Sequence, residues 1–226
     1  MSSKDKKYGE YLKGKKVVLV GPSWHTKHTN QKDLIESYDI VIRINNGFII
    51  SEKKQIDIGR RTDVLYCSLG DYFFTKDILS RKKIENSNIK WIIGTGHHKS
   101  GFLKPVFSKI DKKIQKRMVS SSKFKNVVSK IGTKKKITSG MVTIFDLLEY
   151  EFIELYITGF TFYNIFFSEK RKKYYYKDYM ENYLSKASNV YAAHDNKKEF
   201  YFFKNLCNED KRIICDDILK KIMEEN

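Results

Sequence analysis

Apolar residues in this chain come in short β-branched runs, each closed by glycine or a polar turn, with helical spacing between them. Residues 17–20 form such a run, ended by Gly21, Pro22 and Ser23, and predict a buried strand that enters a turn. Residues 31–37 carry a helix pattern, and 39–44 and 62–68 predict a second and a third strand bounded by polar turn residues. Residues 89–94 predict a fourth, ending in the Gly94-Thr95-Gly96 turn. From about 105 to 130 the spacing is helical and lysine is abundant, which predicts a surface helix. The clearest helix start is Thr138-Ser139-Gly140, followed by Met141, Ile144, Phe145, Leu147 and Leu148 at helical spacing. Residues 153–157 then predict a strand that ends at Gly159.

Strands alternating with helices over the whole length predict an α/β fold: a single-domain, Rossmann-like sheet, largely parallel, with helices on both faces. A chain of 226 residues suits one sizeable core, so we divide it into a basic N-terminal segment, 1–15, and one domain, 16–226. The lysine clusters near 4–16, 109–117, 134–136 and 170–173 are expected to be solvated surface or mobile loop.

Charge widens the field of partners and composition narrows it again. With 44 Lys+Arg against 27 Asp+Glu, the formal +17 invites nucleic acid, an acidic membrane surface or a phosphorylated substrate. Only seven of those cations are arginine, the residue suited to bidentate base and phosphate recognition, and no nucleic-acid reader motif is present. Nucleic acid is therefore not expected as a partner, and a weak contact with acidic membrane stays open. Three cysteines, Cys67, Cys207 and Cys215, show neither C-x-x-C spacing nor a disulfide framework, which implies a reducing compartment. With a polar N-terminus and no apolar stretch near ~20 residues, the expected setting is soluble and cytoplasmic, without a transmembrane segment.

Ligands of open α/β sheets sit outside the carboxyl ends of the strands, so the tips carry the candidate chemistry. Gly21 to Ser23 follows the first strand, and Thr138-Ser139-Gly140 opens a helix whose first N–H groups can accept a phosphate. Taken alone, each reads more readily as ordinary turn or capping chemistry than as a binding site. Neither G-x-G-x-x-G nor G-x-x-x-x-G-K-[ST] occurs, which argues against dinucleotide and P-loop nucleotide binding.

Taken in order, these islands resemble the animal-type sialyltransferase family, a family 29-like group of glycosyltransferases with a variant GT-A fold. Its long motif is similar to Val20-Gly21-Pro22-Ser23, then Asp39-Ile40-Val41-Ile42-Arg43-Ile44-Asn45, then Asp57-Ile58-Gly59-Arg60-Arg61-Thr62. Its short motif looks like Thr138-Ser139-Gly140 through to Gly159-Phe160, and its last motif, H-x4-E, is matched by His194 and Glu199. Departures are Pro22 where the family has asparagine, and Tyr174-Tyr175-Tyr176 without the histidine of the third motif. The paired cysteines of the family's secretory members are also missing, with Val17 at the first position and Glu151 or Phe152 near the second.

The resemblance implies transfer of a sugar, with sialic acid foremost, from a CMP-sugar donor to a glycan acceptor, with inversion and with neither metal nor other cofactor. His194 would be the catalytic base, since a neutral imidazole suits deprotonation of a hydroxyl near pH 7. Glu199, grouped with it as catalytic, would orient a loop or a capping N–H; its other reading is an exposed helix carboxylate. The donor contacts would be Gly21, Ser23, Asn45, Thr138, Ser139, Gly140, Gly159, Phe160 and Tyr175, the last replacing the missing histidine as a hydrogen-bond donor. Arg43, Arg60 and Arg61 are expected to brace the sheet. His25, His28, His97 and His98 lie in loops that a substrate could pass. The competing readings are a catalytically inactive nucleotide-binding module of the same fold and a transferase of another CMP-linked keto sugar.

Overall fold

The computed structural model describes residues 2–68, 88–95, 107–108, 110–162 and 194–225. The predicted strands are present, their ends moved by one or two residues, as β1 (Lys16–Val20), β2 (Ile40–Ile44), β3 (Val64–Cys67) and β4 (Trp91–Gly94), with the run near 153–157 forming β6 (Glu154–Thr158). Two further strands, β5 (Gln115–Met118) and β7 (Ile213–Cys215), complete one parallel sheet of order β5-β4-β3-β2-β1-β6-β7. The expectation of a surface helix over 105–130 holds for Ser121–Ile131 and is corrected before it, where β5 stands. An edge strand buries little, and in Gln-Lys-Arg-Met only Arg117 points fully inward, so no apolar run marks it.

The helices are α1 (Ser3–Leu12), α2 (Lys32–Ser37), α3 (Glu52–Ile58), α4 (Ser121–Ile131), α5 (Ser139–Leu147), α6 (Asn196–Glu209) and α7 (Asp217–Glu224). Side chains alternate across a strand, so each face of the sheet collects its own core. Val17, Leu19, Ile42, Tyr66, Ile93 and Ile157 meet α1, α4, α5, α6 and α7 on one face. Val18, Val20 and Val41 meet Ile35 of α2 and Ile58 of α3 on the other, where Leu65 and Ile92 also pack against Ile110 and Ile114. Helices on both faces are thus observed.

The first lysine cluster is not a mobile loop. It lies on α1, which opens with a capping box between Ser2 and Asp5 and buries Asp5, Tyr8 and Leu12 along one side. Asp5 and Asp146 both accept hydrogen bonds from the buried Arg117 guanidinium, whose ion pair with Asp146 ties β5 to α5. The Tyr66 hydroxyl donates to the same Asp146 at 2.7 Å, and burial pushes its pKa well above the usual tyrosine value. The three cysteines are free thiols, with Cys207 on α6 and Cys215 on β7 bringing their Sγ atoms to 3.8 Å. Among the described residues no helix is long and apolar enough to cross a membrane.

Chain order places the site. From β1 the chain steps outward through β2, β3, β4 and β5, then returns to the opposite side of β1 for β6 and β7. The point of reversal is the crevice between the carboxyl ends of β1 and β6, where open parallel sheets bind ligands.

Candidate functional site

The two tips at this crevice are stitched together through backbone. Gly21 N–H donates to the Thr158 carbonyl at 2.8 Å, and Ser23 N–H donates to the Gly159 carbonyl at 3.0 Å. Gly159 is left-handed (φ 72°), and a Cβ on it would lie 2.7 Å from the Gly21 carbonyl oxygen, so only glycine fits. A Cβ on Gly21 would lie 2.4 Å from the Gly159 oxygen. The Phe160 ring then reaches across to α5, sitting where a Cβ on Gly140 would approach to 2.7 Å. Gly21, Gly140, Gly159 and Phe160, far apart in sequence, therefore form one packed unit.

Ser23 is mostly spent inside it. It is buried, and its hydroxyl accepts from Thr161 Oγ1 at 3.4 Å as well as from His25 N–H at 3.4 Å. Asn45 sits at the β2 tip in a left-handed conformation (φ 50°), its Oδ1 accepting Ser68 N–H at 3.0 Å, which leaves the amide NH2 as the group it can offer a ligand. At the β4 tip Thr95, in the Gly94-Thr95-Gly96 turn, places its hydroxyl 3.5 Å from that of Ser139.

α5 starts as its sequence predicts. Thr138 Oγ1 accepts Met141 N–H at 3.2 Å and caps the helix. The same residue is held from the far end of the chain: Glu199 accepts from Thr138 N–H at 2.9 Å and from its hydroxyl at 2.5 Å. Both polar groups of Thr138 are thus engaged, and within Thr138-Ser139-Gly140 it is Ser139 and Gly140 whose N–H groups lie at the positively polarised helix end. Glu199 is fully buried, which corrects the exposed-carboxylate reading and agrees with the expectation that it orients a capping N–H. It is a positioning residue for the α5 cap, and burial pushes its pKa up to about 7 although the two hydrogen bonds from Thr138 oppose the rise.

His194 stands just before Asp195, the N-cap of α6. Its Nδ1 lies 2.7 Å from the Lys136 carbonyl, and residues 136 and 194 form a parallel bridge. A carbonyl accepts only, so Nδ1 carries the proton and the neutral ring has its lone pair on Nε2. Burial lowers the imidazole pKa below its usual value, with Lys136 and Lys135 adding in the same direction, so the ring is neutral at pH 7. Asp195 and Lys198 brace the same loop, through Thr133 Oγ1 at 3.1 Å and the Gly132 carbonyl at 2.6 Å. The H-x4-E segment is consequently fastened at several points to the stretch that leads into α5.

Arg43 and its neighbours brace, as expected. Arg43 is buried and donates to the carbonyls of Ile58 at 2.6 Å and Arg61 at 3.0 Å; the backbone N–H groups of Arg60 and Arg61 donate to Glu36. Tyr175, with Tyr174 and Tyr176, lies outside the described residues, as do His97 and His98. Among the described residues no three His, Cys, Asp or Glu side chains gather as a metal site would need.

Comparison with known proteins adds the fold. No family model matches the chain, and no curated relative matches it. Among solved structures it is similar to a mammalian sialyltransferase in complex with a Gal-beta-1-3GalNAc nitrophenol compound, at 16% identity and TM-score 0.61, covering 92% of this chain and 71% of that one. It is also similar to a variant of the sialyltransferase CST-II in complex with CMP, at 16% identity and TM-score 0.60, covering 88% and 81%. A structure of CstII from Campylobacter jejuni with cytidine-5'-monophosphate matches at 15% identity and TM-score 0.53, covering 89% and 79%. This chain has the fold of the sialyltransferases, animal and bacterial.

Proposed function

We propose that the protein is a sialyltransferase-like glycosyltransferase that moves a sugar, sialic acid foremost, from a CMP-sugar to a hydroxyl of a glycan acceptor. The observation that carries this reading is the fastening of His194 and Glu199 to the α5 entrance at Lys136 and Thr138. It joins the base and the phosphate-binding end of a helix at the carboxyl end of the sheet.

In this reading Ser139 and Gly140 offer N–H groups to the donor phosphate, and Asn45 its amide to the nucleotide or the sugar. His194 Nε2 takes the acceptor proton as the hydroxyl oxygen bonds to the anomeric carbon. The bond from that carbon to the phosphate oxygen breaks on the opposite face, CMP leaves with the electron pair, and the configuration inverts. The lowered imidazole pKa keeps the base unprotonated at neutral pH. No D-x-D-like acidic pair stands in the sequence, and a metal-independent reaction is part of the proposal. So are a cytoplasmic setting, since the cysteine positions paired in secretory members carry other residues, and a single transferase domain over 16–226.

The test is a screen of CMP-sugars for donor hydrolysis by wild type and His194→Ala, alongside calorimetry with CMP. A loss of about 10²- to 10⁴-fold in the variant supports the base; equal turnover removes His194 from the mechanism. Saturable CMP binding without turnover of any donor would instead favour the inactive nucleotide-binding module, which Pro22 in place of the motif's asparagine recommends. No saturable heat with CMP sinks both.

A further inference from the structure

We infer that Asp216 is a positioning residue that holds the β6 tip in its ligand-ready shape; this rests on the proposed function above. Asp216 is buried in the step from β7 to α7, and its two carboxylate oxygens face different ways. Oδ1 accepts Leu219 N–H at 2.7 Å and caps α7. Oδ2 accepts the Thr158 hydroxyl at 2.7 Å and Gly159 N–H at 3.0 Å. Its own N–H donates to the Ile157 carbonyl at 3.0 Å.

A helix cap needs one oxygen, and the second is committed to the strand tip at the point of reversal. Gly159 is thereby gripped on both sides, its N–H by Asp216 and its carbonyl by Ser23 N–H. That double grip fixes the left-handed turn that aims Phe160 at Gly140. Three donors converge on one carboxylate, a demand that a single amide oxygen cannot meet. Loosening Asp216 frees the β6 tip, and with it the Phe160 ring that separates the β1 turn from the α5 entrance.

Two full-length variants test this. Asp216→Ser keeps a good N-cap for α7 but has no second oxygen for Gly159; Asp216→Asn keeps one oxygen for one of the two tasks. For Asp216→Ser, amide exchange at 158–160 rises at least tenfold, the CMP Kd and the donor KM rise about tenfold, kcat stays within about twofold and Tm falls by a few degrees. Asp216→Asn shows the same pattern at about threefold. Unchanged exchange at 158–160, or an unchanged CMP Kd with a lowered Tm, reduces Asp216 to a helix cap and overturns the inference. A wild type that takes up no CMP while exchange at 158–160 still rises in the variant overturns the nucleotide reading and leaves the grip on Gly159 measured by itself.

Discussion

Glu199→Gln isolates the charge of a buried carboxyl whose shape and neighbours barely change. Glutamine can still accept Thr138 N–H through its carbonyl oxygen and donate to Thr138 Oγ1 through its amide, so the α5 cap survives. What disappears is the titration. Burial lifts the Glu199 pKa from 4.5 to about 7, so the folded state holds a proton that the unfolded chain has released. The carboxyl therefore contributes stability that is fully present below 4.5 and is lost as pH rises through about 7. At about 1.4 kcal/mol per pH unit the loss comes to about 3 kcal/mol across that interval. His194 acts with the opposite sign: its lowered pKa gives stability present above 6.5 that is lost as pH falls through the folded value. Comparing wild type with Glu199→Gln cancels the histidine. Urea unfolding from pH 4.5 to 8 should show the variant gaining about 3 kcal/mol relative to wild type toward the alkaline end. A stability difference flat with pH would refute the argument, because no burial-raised carboxyl would then be titrating there.

Three further outcomes follow from the same geometry. Donor hydrolysis should fall off as pH drops through the lowered His194 pKa, below the usual 6.5, and His194→Ala should lack that acid limb in its residual rate. Gly21→Ala, whose Cβ meets the Gly159 backbone oxygen, should cost about 1–3 kcal/mol in urea unfolding; Gly140→Ala, which meets only the Phe160 ring, should unfold near wild type yet bind CMP several-fold more weakly by calorimetry. Asp146→Ala leaves the buried Arg117 guanidinium with Asp5 as its remaining carboxylate and the Tyr66 hydroxyl without its acceptor, and should cost about 3 kcal/mol in urea unfolding.

The parts of the fold visible in the sequence are those whose burial is two-sided. β1, β2, β3, β4 and β6 lie inside the sheet, covered on both faces, and so appear as apolar runs. The edge strands bury only some of their residues: β5 leaves no apolar run to find, and the run of β7, Ile-Ile-Cys, is only three residues long. α1 hid differently, since its lysines dominate the local composition while the buried Asp5, Tyr8 and Leu12 are spaced for one helix side. Ser2 followed at three residues by Asp5 was the available signal, a capping box in its aspartate form.

The site divides along the same physical line. Gly21, Gly159 and the Thr138 cap could be found because tight turns and helix starts impose local residue choices. Asp216 also carries a local signal, as the N-cap of α7, but its second oxygen serves a strand 57 residues away. Glu199 was expected to orient a loop or a capping N–H, with a surface carboxylate as its other reading; it lies buried under the α5 cap, and the partner the sequence left unnamed is Thr138, 61 residues earlier. Neither commitment has a period or a spacing that sequence could expose, because each is made between elements that meet only when β6 slots in beside β1. The reversal of strand order that creates the crevice therefore also creates the need for the two buried carboxylates, one under each side. Glu199 anchors the helix entrance and Asp216 anchors the strand tip, with Phe160 packed between them against Gly140. By that division of labour, Glu199→Ala, which removes both Thr138 contacts, and Asp216→Ser should be additive in stability, since no described contact joins them, but more than additive in CMP affinity, since both sides bear on the same ring. Plain additivity in both measurements would mean that the two anchors serve the fold alone.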